Sequence, residues 1–302
     1  MDSRPNSFVI GAPKCATTSL VEALATHSRV YVPFIKEPGY FGSDFGSDVG
    51  DEEEYLELYT KAPAQATVLV DGTTHYLASA DAVSQILHFN PQARFICAFR
   101  DPLEVAPAFH SQLRRHHIEP LSSFDAAWAD QPERRKRMRA GGSREPLYDE
   151  ICLFGKQLER LYTRVPEDRV FVVFFDELIT KPEVTLDRVQ AFLGLDRENL
   201  QLPNSNVNQE VVLENMHRFK MHLARHARRL KRLLGIHRNM DLFRRAFAFT
   251  TKPSDRDKPD QATIESMKQS FSADMDLFES VAGRSIRGSA WDQEPAGTSG
   301  AP

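Results

Sequence analysis

The stretch FVIGAPKCATTSL, residues 8–20, decides the fold of this chain. A short apolar run, Phe8–Ile10, stops at Gly11, and the hydroxyl residues from Thr17 to Ser19 precede an amphipathic pattern. This order predicts a buried strand, then a tight turn, then a helix that begins near Thr17.

The same stretch indicates an anion-binding site. The first N–H groups of a helix have no partner inside the helix, and together with the helix dipole they bind oxyanions. Lys14 adds a positive charge, and the hydroxyls of Thr17–Ser19 add donors. We therefore expect a phosphate or sulfate ester as the ligand. The alternative is a capped helix that leaves Lys14 in solvent.

Three further apolar runs, at 68–70, 95–99 and 170–175, resemble the first. Their apolar residues are unbroken rather than alternating, which is typical of parallel strands that are covered on both faces. Amphipathic helical patterns lie between them. The sequence thus predicts an α/β class and a P-loop-like, three-layer fold, in which helices flank a central, mainly parallel β-sheet. In such sheets ligands bind beyond the carboxyl ends of the strands.

Composition narrows the class of protein. The chain has 302 residues, 41% hydrophobic and 26% charged, which suits one globular domain, placed here at 1–291. The net charge of −4 argues against bulk binding of nucleic acid. The three cysteines show no metal-ligand spacing, so we expect no metal. No apolar run approaches about 18 residues and no signal segment is visible, which predicts no membrane partner and a cytoplasmic location.

The last third of the chain has a different character. Residues 217–245 contain ten Lys and Arg and a single acid, Asp241. We expect 205–250 to form a basic, helical, lid-like segment over an anionic ligand, or else a surface helix with a solvated basic face. Residues 292–302 are rich in small residues and proline and are expected to be a disordered tail.

The first loop has the wrong order for a nucleoside-triphosphate P-loop, because Lys14 precedes the hydroxyl cluster by three residues. It resembles instead the 5′-phosphosulfate loop, G-x-P-K-x-G-T-T-S-L, of sulfotransferases that use 3′-phosphoadenosine 5′-phosphosulfate (PAPS), in particular the bacterial and heparan-type branch. An alanine stands where that family usually has its second glycine. The resemblance implies that this loop binds the donor through Pro13, Lys14, Cys15, Ala16, Thr17, Thr18 and Ser19.

A second resemblance follows the third strand. Arg100-Asp101-Pro102 is similar to the start of the family's 3′-phosphate motif, R-D-P-x-E-R-A-x-S. Arg100 matches the arginine that forks the phosphate, whereas the motif's serine is Ala108 here, so Ser111, one turn further, is the candidate substitute. The alternative for Arg100 is an ion pair with a neighbour. Asp101 and Pro102 suit the cap and first turn of a helix.

Other segments resemble family elements in the expected order. They are K-E-P-G-Y-F at 36–41, D-G-T-T-H-Y at 71–76, the strand and D-E-L at 170–178, and G-R…W at 283–291. At Gly72 a glycine replaces a family lysine. Tyr40, Phe41 and Tyr76 are expected to form the wall of an acceptor pocket, or else part of the core.

The resemblance implies transfer of a sulfuryl group from PAPS to a hydroxyl, less often an amine, by in-line displacement. Lys14 is assigned to the leaving phosphate and Lys36 to the transferring group. Glu37 matches the heparan-type base and His75 lies where cytosolic members carry a histidine, so two candidate bases stay open. The acceptor is expected to be a small molecule such as a bacterial natural product. The alternatives are a P-loop-like kinase or NTPase and a non-catalytic nucleotide-binding module. A homo-oligomer is compatible with the sequence, which does not indicate the oligomeric state.

Overall fold

The structure, a computed structural model, describes residues 4–44, 49–141, 146–203, 209–211, 251–253 and 258–292. The expected basic lid-like segment, 205–250, falls outside these residues except for 209–211, and so does the expected tail after Asp292. In the described part, no helix is both long and apolar enough to span a membrane.

A five-stranded sheet lies at the centre of the described residues. Its strands are β1 (Ser7–Gly11), β2 (Val30–Tyr31), β3 (Val68–Asp71), β4 (Arg94–Phe99) and β5 (Val170–Phe174). Their order is β2-β3-β1-β4-β5, and every neighbouring pair is parallel. A separate antiparallel pair is formed by β6 (Gln209–Val211) and β7 (Thr251–Pro253).

Helices connect the strands. The described helices are α1 (Thr17–Leu24), α2 (Glu52–Glu57), α3 (Ala82–Phe89), α4 (Pro102–Arg115), α5 (Phe124–Ala129), α6 (Gln131–Arg139), α7 (Tyr148–Ile151), α8 (Phe154–Tyr162), α9 (Phe175–Thr180), α10 (Pro182–Leu193) and α11 (Gln261–Ala282). The α/β fold with a parallel central sheet is therefore confirmed. Strand β2 was not predicted from the sequence, because its two residues are too few to form an apolar run.

The sheet owes its stability to burial on both faces. All three residues of Phe8–Ile10 are fully buried, as is every residue of Phe95–Phe99. Unbroken apolar strands in the sequence thus correspond to strands with helices on either side, as parallel sheets require.

Register places the ends of two strands together. Phe8 of β1 lies beside Phe95 of β4, and Gly11 lies beside Cys97. Ser7 of β1 pairs on its other side with Val70 of β3. The loops that leave β1, β3 and β4 therefore emerge at one edge of the sheet, and this edge carries the candidate site.

Helices α8 and α11 pack closely over β4. The ring of Phe99 lies 5.4 Å from that of Phe154 and 4.9 Å from that of Phe278. Asp274 of α11 accepts hydrogen bonds from the amides of Gly155, at 2.8 Å, and Lys156, at 3.0 Å. It thus caps the start of a neighbouring helix.

Gly155 is required by this contact, since a Cβ there would lie 2.2 Å from the Asp274 carbonyl oxygen. We predict that Gly155→Ala lowers the free energy of unfolding by about 1–3 kcal/mol, because backbone atoms must move apart. Urea unfolding measures it. Gly50→Ala is the control, since a Cβ there meets only the flexible carboxylate of Glu54, at 3.1 Å. Equal losses in the two variants would contradict the explanation.

Candidate functional site

The loop between β1 and α1 has a constrained backbone. The Ala12 amide donates to the Ala98 carbonyl at 2.7 Å, which ties the loop to β4. Lys14 and Ala16 both adopt left-handed conformations, with φ of 64° and 61°. Such conformations cost free energy for residues other than glycine, and they cluster at ligand-binding sites. The alanine at the family's glycine position thus takes the conformation that glycine favours.

The start of α1 offers backbone donors. Ala16 is the N-cap residue of α1 and has no side chain that could cap the helix. Thr17 and Ser19 are buried, whereas Thr18 is exposed and Lys14 is partly exposed. The first-turn amides of α1 therefore lie at the edge of the sheet where an anion would bind, and Lys14 and Thr18 belong to the same loop and helix start.

Arg100 lies at the end of the neighbouring strand. It follows Phe99, the last residue of β4, and its guanidinium forms an ion pair with Glu104 one turn into α4. The guanidinium carbon lies 4.3 Å from the centre of the Phe175 ring, at the start of α9. The ion pair with a neighbour that the sequence left open is therefore present. Arg100 forms this ion pair and also lies at the end of β4, at the edge of the sheet that carries the candidate site.

Cys15, the residue after Lys14, places a buried thiol in the loop between β1 and α1. Its thiol is fully buried and lies 3.5 Å from the Pro13 carbonyl oxygen. Burial raises the pKa of the Cys15 thiol to about 12, and the positive charges of Arg100 and Lys14 oppose this rise. Lys14 belongs to the loop that follows β1, and Arg100 follows β4, the parallel neighbour of β1, so both residues lie at the same edge of the sheet.

Asp101 forms long-range hydrogen bonds that its sequence neighbourhood does not indicate. It caps α4 as predicted, accepting from the Leu103 amide at 2.8 Å. It also accepts from the Gly288 amide at 2.9 Å and from Nε1 of Trp291 at 3.0 Å. Burial raises the pKa of Asp101, and the hydrogen bond from Trp291 opposes the rise. The carboxylate thus anchors the segment after α11 beside Arg100.

Lys36 and Glu37 lie beside the segment that follows β3. The Lys36 ammonium is 2.7 Å from Glu37 Oε1, and it donates to the Gly72 carbonyl at 3.2 Å. The Thr74 hydroxyl donates to Glu37 Oε2 at 3.2 Å. A Cβ on Gly72 would lie 3.2 Å from Cγ of Lys36, so the glycine at the family's lysine position leaves room for the Lys36 stem.

His75 follows Thr74 directly and is partly buried. Its ring meets the Tyr76 ring edge-on at 5.3 Å. The Leu77 amide donates to the Ile10 carbonyl at 2.8 Å, so this segment packs against β1. The structure thus brings both candidate bases to the edge that also carries the Lys14 loop.

A buried carboxylate supports this segment. Asp71 Oδ1 accepts from the amide and the hydroxyl of Thr73, at 3.0 and 2.6 Å. Its Oδ2 accepts from the hydroxyls of Tyr55, at 2.7 Å, and Tyr76, at 3.1 Å. Burial raises the pKa of Asp71 to about 6, and these hydrogen bonds oppose the rise.

The expected aromatic wall is largely core. Phe41 is 3% exposed and Tyr76 is fully buried, and both belong to an aromatic cluster with Tyr55. Tyr40 is partly exposed and stacks on Tyr55 at 4.6 Å. Phe41 and Tyr76 therefore form packing contacts, the second of the two roles considered above.

Ser111 is further from the site than the other candidates. Its hydroxyl donates to the Pro107 carbonyl at 3.0 Å within α4. It lies nine residues after Pro102, the first residue of that helix, or about 14 Å along the axis at 1.5 Å per residue. A contact between Ser111 and the donor stays a prediction.

The parallel central sheet and the loop and helix start that follow β1 define an α/β protein of the P-loop-like kind. The sulfotransferase family model matches residues 47–199, about half of the chain. The chain therefore belongs to the sulfotransferase family.

Relatives and a solved structure agree with this assignment. Mouse heparan sulfate glucosamine 3-O-sulfotransferase 3A1 is 25% identical over 195 residues, covering 64% of this chain and 46% of the relative. Human bifunctional heparan sulfate N-deacetylase/N-sulfotransferase 3 is 24% identical over 235 residues, covering 71% and 24%. A sulfotransferase from Alicyclobacillus acidocaldarius has a similar structure, with a TM-score of 0.58, 25% identity, and coverage of 80% of this chain and 99% of its own. The chain spans about half the length of the 3-O-sulfotransferase it matches.

The buried Asp71 predicts a pH-dependent contribution to stability. Its pKa is about 6 in the folded protein against an ordinary 3.8, so the folded state holds the proton more tightly. The protonated Asp71 carboxyl therefore stabilises the folded state below pH 4, and this stabilisation is lost as the pH rises through 6. The difference between the two pKa values corresponds to a free energy of about 3 kcal/mol. We predict that the stability of wild type relative to Asp71→Asn falls by up to that amount between pH 4 and 7. Urea unfolding of both proteins checks this, and a difference that is constant with pH would contradict it.

Proposed function

We propose that this protein transfers the sulfuryl group of PAPS to a hydroxyl, less often an amine, of a small-molecule acceptor. The observation that carries the proposal is the shared edge of β1 and β4, where the loop with Lys14 follows β1 and Arg100 follows β4. Two separated anionic groups on one ligand match two cations that follow adjacent parallel strands.

The residues present fit such a donor. The left-handed Lys14 and Ala16 turn the backbone towards an uncapped helix start, which suits the 5′-phosphosulfate. Arg100 is assigned to the 3′-phosphate, with the Phe175 ring supporting its planar guanidinium. When that phosphate binds, Arg100 either contacts both the phosphate and Glu104 or breaks its ion pair with Glu104.

The chemistry resembles phosphoryl transfer, in which positioning and charge stabilisation dominate. When bound, the donor supplies the sulfuryl group: a bond forms between sulfur and the acceptor oxygen while the bond from sulfur to the 5′-phosphate oxygen breaks. Lys14 and the first-turn amides of α1 stabilise the charge that develops on that leaving oxygen. Lys36 is assigned to the oxygens of the transferring group.

The acceptor proton passes to a base in this scheme. Glu37 is exposed and is held between the Lys36 ammonium and the Thr74 hydroxyl. His75 is partly buried and lies on the adjoining segment. Both geometries suit a base at this edge, one as proton acceptor and the other as its support, and the assignment between them stays open.

The acceptor class is the least constrained part of the proposal. The mouse relative is, by its name, a 3-O-sulfotransferase that acts on heparan sulfate glucosamine. We favour a small hydroxylated molecule such as a natural product, and a cytoplasmic location stays part of this proposal.

A kinase or NTPase is the second candidate, and two aspartates would have to serve its metal. Asp71 already accepts hydrogen bonds from Thr73, Tyr55 and Tyr76, and Asp176 forms an ion pair with Arg284. Neither arrangement suits a divalent cation, and the loop also lacks the glycine-lysine-hydroxyl order.

Ligand-dependent stability tests the donor class. We predict that adenosine 3′,5′-bisphosphate at 100 times its dissociation constant stabilises the folded protein by about 2.7 kcal/mol and raises its melting temperature. ATP with magnesium is predicted to have a much smaller effect. The reverse order would reject the sulfotransferase proposal in favour of the NTPase, and no response to either would reject both enzymes.

Two substitutions separate the roles of the cations. We predict that Lys14→Ala lowers kcat by about 10²–10³-fold with a smaller loss of nucleotide affinity, because it acts on developing charge. Arg100→Ala is predicted to weaken binding of adenosine 3′,5′-bisphosphate by about 10–100-fold, the value of a charge-assisted hydrogen bond.

Labelled-donor turnover and calorimetry measure these two effects. The acceptors would be 2-naphthol, 1-octanol and a glucosamine-containing oligosaccharide. The exposed Lys61→Ala and Arg197→Ala are the matched controls. A Lys14 variant with wild-type kcat, or an Arg100 variant with wild-type affinity, would remove the role assigned to that residue.

A further inference from the structure

Thr73 joins the two segments that carry the candidate bases. Its hydroxyl donates to Asp71 Oδ1 at 2.6 Å and accepts from the Gly39 amide at 3.1 Å. Gly39 lies two residues after Glu37, and Thr73 lies two residues before His75. One buried hydroxyl thus connects the Glu37 loop to the His75 segment.

Thr73 is itself held in place. It is fully buried, and its amide also donates to Asp71, at 3.0 Å, so backbone and side chain converge on one carboxylate oxygen. The second oxygen of Asp71 is occupied by the hydroxyls of Tyr55 and Tyr76. All of these donors to Asp71 are neutral amides or hydroxyls, so the carboxylate orients Thr73 through hydrogen bonds and not through an ion pair.

A second link runs in parallel with the first. The Tyr76 hydroxyl, which donates to Asp71, also accepts from the Phe41 amide at 3.3 Å. A third contact joins the Gly72 amide to the Lys36 carbonyl at 3.0 Å. The loop from Lys36 to Phe41 is therefore fastened to the segment after β3 at its beginning, middle and end.

These contacts decide where the Glu37 carboxylate lies. The hydroxyl of Thr74 reaches Glu37 only while the two segments keep their spacing, since the hydrogen bond is already 3.2 Å long. Hydrogen bonds weaken steeply with length and angle, and a displacement of about 1 Å at a reacting centre costs about 10²-fold in rate.

We propose that Thr73, oriented by Asp71, is a positioning residue that fixes the Lys36–Glu37 loop against the Thr74–His75 segment. This inference rests on the proposed function, in which those segments carry the base. Thr73 touches no reacting atom in this scheme and acts through Glu37 and His75.

Thr73→Val tests the proposal because it keeps the shape of the side chain and removes its hydroxyl. We predict at least a 10-fold lower kcat, with the affinity for adenosine 3′,5′-bisphosphate within about 2-fold of wild type. Thr73→Ser restores the hydroxyl and is predicted to keep kcat within about 3-fold. The turnover probe is labelled PAPS with whichever of 2-naphthol, 1-octanol or the oligosaccharide the wild type uses fastest.

The control for loss of a buried threonine hydroxyl is Thr185→Val. Thr185 is 3% exposed, lies in α10, and donates to the Lys181 carbonyl at 3.1 Å. This variant is predicted to lose stability without loss of kcat. An unchanged kcat in Thr73→Val, or an equal loss in Thr185→Val, would overturn the proposal. If Thr73→Val does not fold, Tyr76→Phe cuts the parallel link to Phe41, and an unchanged kcat there would overturn it too.

Amide hydrogen exchange separates failure of the inference from failure of the proposed function. The Gly39 amide is predicted to exchange at least 10-fold faster in Thr73→Val and at the wild-type rate in Thr73→Ser. If the wild type neither binds adenosine 3′,5′-bisphosphate nor uses PAPS, the proposed function is refuted. The exchange rate at Gly39 would still test whether Thr73 holds the Lys36–Glu37 loop in place. An unchanged exchange rate at Gly39 in Thr73→Val would contradict the positioning role of Thr73, even if the enzyme is active.

Discussion

The rest of the site depends on the parallel pairing of β1 with β4. Because adjacent parallel strands end at the same edge, the loop that carries Lys14 and the residue Arg100 emerge side by side. Cys15, between Lys14 and the start of α1 in the chain, is fully buried in this loop. Under the proposed function, the presence of both cations at this edge distinguishes an anion-binding site from a capped helix that follows a strand.

Long-range hydrogen bonds hold this edge in place. Asp101 joins the start of α4 to Gly288 and Trp291 near the end of the described chain. Asp71 gathers Thr73, Tyr55 and Tyr76 beneath the candidate bases. Each carboxylate is buried, and buried polar groups are stable only when their hydrogen bonds are satisfied. Asp71 and Asp101 therefore hold the groups that donate to them in defined positions.

Much of the fold was predictable from the chain alone. The four apolar runs became strands because burial on two faces requires unbroken apolar residues, and the Gly11–Ser19 order gave the loop and helix start. The stripe at Phe154, Leu158 and Leu161 is buried as its spacing indicates. Local pattern suffices in these cases because the determining contacts lie within one element.

The remaining features depend on residues distant in sequence. Nothing near Asp101 indicates Trp291, 190 residues away, and nothing near Thr73 indicates its contact with Gly39. The same limit applies to Phe41 and Tyr76, since tertiary packing rather than local pattern decides whether an aromatic ring forms core or pocket. The ion pair of Arg100 with Glu104 is an intermediate case, because its i,i+4 spacing is readable once α4 is placed.

A crystal structure of the complex with adenosine 3′,5′-bisphosphate is the most direct test of whether Lys14 and Arg100 bind the two phosphates of one nucleotide. We expect the 5′-phosphate at the first-turn amides of α1 within hydrogen-bonding distance of Lys14, and the 3′-phosphate beside Arg100. A nucleotide bound elsewhere, or one whose two phosphates contact neither residue, would contradict it.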